Sequence, residues 1–121
     1  MASVQGIGGV FIKIADAEGW RAWYARVLGL SFDQWGGLVF PHPNIGYGVL
    51  SAFPPDSDYF APSDAPFMLN LIVDDLDGVL AAVRAAGVSF EGPQDNDYGR
   101  FVWVIDPAGI KVELWQPPPA K

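Results

Sequence analysis

From Val10 to Ile14 the chain reads Val-Phe-Ile-Lys-Ile, a run rich in β-branched residues that predicts a strand. The period then changes. Trp20, Trp23, Tyr24, Val27 and Leu28 recur at helical spacing, with Asp16 ahead of them as an N-cap and Gly29 just past the last turn. Short strands are expected around 31–34, 37–41 and 47–53, with His42-Pro43-Asn44-Ile45-Gly46 as a turn. The second half follows the same plan. Met68 to Val73 predicts a strand, and Asp74 or Asp75 caps a helix whose buried face is Leu76, Val79, Leu80 and Val83, ended by Gly87. Val88–Phe90, Arg100–Ile105 and Ile110–Trp115 complete it as strands, the last two joined by the turn Asp106-Pro107-Ala108-Gly109.

The two halves are related more closely than by plan. Sliding the chain by 63 positions sets Trp35 on Tyr98, Gly36 on Gly99, Leu38 on Phe101, Val39 on Val102, Gly46 on Gly109 and Val49 on Val112. It also sets Leu50 on Glu113. Each half therefore reads β-α-β-β-β, and a unit stated twice buries its core between like halves. The expected architecture is α+β: one domain over residues 1–121, with module one at about 6–53, module two at about 67–116 and a loose tail at 117–121. The connector between them, about 54–66, carries four prolines and is expected to be extended.

Composition narrows the function classes. Five Trp, eight Phe and four Tyr in 121 residues argue for a folded core, and the absence of cysteine excludes thiolate chemistry and disulfides. No apolar run reaches membrane-spanning length and no signal peptide is recognisable, so a cytoplasmic protein without a membrane partner is expected. A net charge of −7 with seven Lys and Arg argues against nucleic acid as a partner. Ser51, Ser57 and Ser63 have no histidine base in a recognisable arrangement, and Gly6-Ile7-Gly8-Gly9 precedes a strand, unlike a phosphate loop.

Trp23-Tyr24-Ala25-Arg26-Val27-Leu28-Gly29-Leu30 in the first half, with Asp106-Pro107-Ala108-Gly109-Ile110-Lys111-Val112-Glu113-Leu114-Trp115 in the second, resembles the vicinal oxygen chelate superfamily. That group contains glyoxalase I, bleomycin-resistance proteins, fosfomycin-resistance enzymes, methylmalonyl-CoA epimerase and ring-cleaving dioxygenases. The Tyr-Gly-Arg-Phe-x-Trp stretch at residues 98–103 looks like that of its small bacterial glyoxalase-like members. The resemblance implies two paired βαβββ modules forming a curved, partly open sheet around a cleft, with helices on the convex side. It also implies a homodimer.

In metal-dependent members the resemblance implies one ligand on the first and one on the last strand of each module. Counted onto this chain, those positions are Gly9, Leu50, Met68 and Glu113, with Val10 or Phe67 on a one-residue slip. Only Glu113 has a donor atom suited to the task, and His42 lies in a turn away from all four. No metal and no other cofactor is expected, because a divalent site needs about three or four protein donors.

Closing a hairpin at Asp106–Gly109 would pair Ile105 with Ile110, Val104 with Lys111 and Val102 with Glu113. Phe101, Trp103, Ile105, Ile110, Val112 and Leu114 would then face the helices. Arg100, Val102, Val104, Lys111, Glu113 and Trp115 would face the cleft, joined by Phe11, Lys13, Leu50, Met68 and Asn70. This mostly apolar lining predicts binding of a small hydrophobic or cationic molecule without a metal. Two other functions remain open: a lyase or isomerase with Glu113 as catalytic acid or base, and a partner-binding regulatory module. Tyr59, Phe60 and Tyr98 are candidate aromatic lids or dimer contacts.

Overall fold

Both helices begin and end where the caps predict. In a computed structural model describing residues 2, 7–41 and 45–119, helix α1 spans Ala17–Leu28 and helix α2 spans Leu76–Ala85. Asp16 accepts a hydrogen bond from the Gly19 amide and Asp75 one from the Gly78 amide, each satisfying a first-turn N–H that would otherwise be orphaned. Gly29 closes α1 in the left-handed conformation that glycine adopts without steric cost. The turn residues His42–Asn44 lie outside the described residues.

Four strands, β1 (Leu69–Ile72), β2 (Glu91–Asn96), β3 (Gly99–Ile105) and β4 (Lys111–Gln116), form one sheet in the order β1-β4-β3-β2. β1 runs parallel to β4, whereas β3 is antiparallel to both β4 and β2. This is the expected βαβββ unit of module two, with one strand displaced. The third segment forms at Glu91–Asn96, not at Val88–Phe90, as an exposed polar edge with a bulge between Glu91 and Gln94. Val88 and Phe90 instead pack against the core. A polar, bulged strand containing Pro93 suits a sheet edge.

The core lies between this sheet and both helices. Val102, Val104, Val112 and Leu114 meet Tyr24 and Val27 of α1 and Leu76, Leu80 and Val83 of α2, with Trp20, Trp23 and Phe32 packed around them.

Module one is where expectation and structure part. Helix α1 forms, but none of the segments at 10–14, 31–34, 37–41 and 47–53 is a strand among the described residues. A strand exists only through a partner's hydrogen bonds, and these segments have none to pair with here. Phe11 and Leu50 are accordingly 93% and 90% exposed.

Candidate functional site

The β3–β4 connection decides which side chains meet. Asp106 is buried, and its Oδ1 accepts hydrogen bonds from the Ala108 and Ile110 amides while its own amide donates to the Ile110 carbonyl. The turn therefore takes in Ile110, and Ile105 pairs with Lys111 rather than with Ile110. A slip of one residue exchanges the two faces of a strand. Trp103, expected against the helices, pairs with Glu113 on the opposite face, together with Phe101 and Ile105. Val102 and Val104, expected in the cleft, are core residues. Arg100 also turns to the helix side, where it bonds Asp77 of α2 and Asp95 at 3.2 Å each.

The face away from the helices thus carries Phe101, Trp103, Lys111, Glu113 and Trp115 from β3 and β4, and Asn70 from β1. Its three large rings lie nearly parallel, with Phe101 6.2 Å from Trp103 and 6.2 Å from Trp115 between centroids. Trp115 Nε1 donates to the Tyr98 carbonyl at 2.7 Å, which fixes the last ring.

Glu113 sits at the centre, only 7% exposed. Its Oε1 accepts from Asn70 Nδ2 at 2.7 Å, and its Oε2 accepts from Trp103 Nε1 at 2.8 Å and from the Tyr59 hydroxyl. Tyr59 comes from the connector, which crosses this face. Burial, and then the bond to Glu113, push the Tyr59 hydroxyl well above the usual phenol range, so it stays protonated and donating. Lys111 holds the connector's backbone: its Nζ donates to the Tyr59 carbonyl at 2.7 Å and the Ala61 carbonyl at 3.0 Å. The same ammonium lies 5.3 Å from the Tyr59 ring centroid and 5.6 Å from that of Trp103. Beside this cluster opens a depression of about 350 Å³ lined by Asp58, Tyr59, Ala61, Glu91, Gln94, Trp103 and Lys111.

The structure brings Asn70, Lys111, Glu113 and Trp115 onto one face and places half-buried Met68 just before β1. It does not bring Phe11, Lys13 or Leu50, which are exposed. Sequence reasoning missed Trp103 through the register, and Tyr59 as a hydrogen-bond partner of Glu113. The signal for Tyr59 was an aromatic within the short connector joining the halves.

Chemistry decides whether this site fits the divalent cation of metal-dependent relatives. The three groups bonded to the Glu113 carboxylate turn N–H or O–H donors toward it, no second carboxylate or imidazole joins it among the described residues, and Gly9, Leu50 and Met68 supply no oxygen or nitrogen from their side chains. Among the described residues no three His, Cys, Asp or Glu side chains come together. The residues present do not fit such an ion.

Asp106 ties the two halves on the other side of the sheet. Its Oδ2 accepts from Trp20 Nε1 and from the Tyr24 hydroxyl, both at 2.8 Å. Burial, then the charge of Asp106, raise the Tyr24 hydroxyl far above its usual range.

The fold has known counterparts. An antibiotic-binding protein from Streptomyces sp. CB03234, TnmS3, is 24% identical, with 98% of this chain and 100% of that one covered at a TM-score of 0.62. A glyoxalase/bleomycin resistance protein from the same organism is 25% identical, covering 87% and 95% at a TM-score of 0.54. A glyoxylase/bleomycin resistance protein/dioxygenase domain from Frankia sp. EAN1pec is 18% identical, covering 96% and 100% at 0.62. No curated protein matches the chain. The family described as the Glyoxalase/Bleomycin resistance protein/Dioxygenase superfamily matches residues 6–114, so nearly the whole length is accounted for, and the chain belongs to that superfamily.

Proposed function

We propose that the protein binds a small, largely apolar molecule, neutral or cationic, on the aromatic face of the module-two sheet, without a metal and without transforming it. The observation that carries this reading is the parallel set of Phe101, Trp103 and Trp115 around a Glu113 carboxylate surrounded by hydrogen-bond donors. Trp103 and Trp115 are buried under Tyr59 and Tyr47, so a planar ligand gains their dispersion area by entering at the depression beside Trp103 and displacing the covering ring. The likeness to a protein described as antibiotic-binding supports the same reading. Acid–base chemistry at Glu113 has less support, because Asn70, Trp103 and Tyr59 cover its carboxylate oxygens.

Tryptophan fluorescence tests the reading. Titration with proflavine, a planar aromatic cation, at moderate salt is expected to quench emission saturably, and Trp103→Ala is expected to weaken binding by about tenfold. Proflavine that neither quenches saturably nor raises the melting temperature, with neutral planar aromatics equally inert, would overturn it.

The functional unit is a homodimer in which module one finds its strand partners on a second copy. Supporting this, Val10, Phe11, Val39, Phe40, Val49 and Leu50 are exposed along segments with strand-like sequences, and one edge of apolar β1 pairs with nothing among the described residues. Sedimentation velocity is expected to give a dimer that Leu50→Lys weakens by about tenfold or more. A wild-type monomer at all accessible concentrations would exclude it.

A further inference from the structure

Tyr59 shows what kind of chemical group the Glu113 subsite accepts. Its phenol ring lies edge-on to Trp103 at 6.3 Å and stacks on Phe53 at 5.6 Å, while its hydroxyl donates to Glu113 Oε2. The connector backbone beneath it is pinned by Lys111 through the carbonyls of Tyr59 and Ala61 and by Ser63 Oγ through the Gly109 carbonyl. The residue is nonetheless 39% exposed at the rim of the depression, so its ring has open space on one side. A fixed backbone with a half-exposed side chain allows the ring to rotate outward about its own χ angles while the connector stays in place.

We infer that Tyr59 occupies the subsite as an exchangeable phenol, and that the ligand is a hydroxyl-bearing aromatic that replaces it on Glu113. This rests on the binding reading above and specifies its ligand class. When the ring leaves, Glu113 Oε2 loses one of its two donors and keeps Trp103 Nε1. A buried carboxylate with an open acceptor position strongly prefers an incoming O–H to an ether or a hydrocarbon. An aromatic hydroxyl restores the lost bond and re-forms the contact with Trp103. A ligand with no donor would leave that position unfilled and therefore does not displace Tyr59, as in sites built for a hydroxyl that reject analogues lacking one.

The test compares 2-naphthol with 2-methoxynaphthalene, which has the same fused rings but no donor, by calorimetric titration. Removing the internal competitor with Tyr59→Ala is expected to tighten 2-naphthol binding by about tenfold, and the ether by much less. Glu113→Leu, which installs the residue type the first half carries at Leu50, is expected to abolish the preference. In the wild-type protein the Trp103 indole N–H resonance, which reports on the same carboxylate oxygen, is expected to shift with 2-naphthol and not with the ether. This measurement does not depend on any variant folding.

Three results would each overturn the inference: 2-naphthol binding to Tyr59→Ala no more tightly than to wild type, the ether gaining as much as the naphthol, or an indole signal that responds to both compounds or to neither. In any of these cases saturable binding of the two compounds would leave the broader proposal standing. Failure of both compounds and of proflavine to bind any form would remove both.

Discussion

Val49 and Val112 hold equivalent positions in the two halves, yet Val49 is 65% exposed and Val112 fully buried. Val39 and Val102 differ in the same direction, as do Leu50 and Glu113, the apolar member being the exposed one. The alternating pattern is present in both halves. What differs is a neighbour: β4 lies between β1 and β3, whereas residues 47–53 have no strand beside them among the described residues. Apolar alternation specifies which face a strand will bury but does not supply the surface that buries it. The difference teaches that a matching pattern is not enough to make a strand: among the described residues only the second half forms a sheet.

The glycines that recur in the repeat give the largest expected contrast. Gly36 and Gly99 both have positive φ, at 96° and 125°. A Cβ at Gly99 would lie 2.2 Å from the Gln116 backbone carbonyl, whereas one at Gly36 would meet only the Arg21 guanidinium at 3.5 Å. Gly99→Ala is expected to cost about 4 kcal/mol through strain plus a backbone clash, and Gly36→Ala about 1 kcal/mol through strain alone. Urea denaturation of both variants measures this. Equal losses would mean that module one is as tightly paired as module two, and would break the comparison.

Asp106 is a buried link between the halves, so its loss should be felt in both. Asp106→Ala removes four hydrogen bonds and leaves the Trp20 and Tyr24 donors unpaired, with an expected cost of about 3 kcal/mol, or a drop of roughly 10 °C in Tm. Tyr24 also confers a pH dependence. Its folded-state pKa is raised above the ordinary 10.0, so the folded protein holds a proton that the unfolded chain releases above that pH. Stability is therefore fully present below about pH 10 and declines as pH rises beyond it, by ~1.4 kcal/mol per pH unit for each proton retained. Tyr24→Phe is expected to flatten that decline in denaturation experiments at pH 10–11, at the cost of one hydrogen bond at neutral pH. An unchanged slope would place the alkaline loss elsewhere.

Much of this was legible in the residues. Asp16 and Asp75 mark the helix starts, Gly29 marks a helix end, and the αβ order of module two follows from apolar spacing, because local chemistry alone sets those features. The face of β3 was not legible. It depends on a single turn residue, and Asp106-Pro107-Ala108-Gly109 reads equally well as a four-residue turn until Asp106 is known to be buried and to accept the Ile110 amide. The role of Tyr59 was hidden for a different reason, since a contact between a connector and a strand 54 positions away has no periodicity to reveal it. The strands expected in module one show the same limit, because an alternating pattern does not say what a segment pairs with.

Arg100 gives the smallest expected effect and the sharpest check on the register. A simple alternation from Ile110 would aim its guanidinium into the cleft, beside Glu113, where it would attract anions and compete for the carboxylate. The five-residue turn aims it the other way, to Asp77 and Asp95, whose carboxylates are 77% and 70% exposed. Exposed ion pairs are screened by water and salt, so Arg100→Ala is expected to leave the denaturation midpoint nearly unchanged. Its effect on proflavine or 2-naphthol affinity should be equally small, because the side chain lies across the sheet from Trp103. Trp103→Ala, by contrast, removes a wall of the depression and a donor to Glu113, and weakens both ligands. If the two variants exchanged these effects, β3 would carry the opposite face toward the ligand. Val102 and Val104 would then line the site, and Tyr59 would have no indole against which to pack.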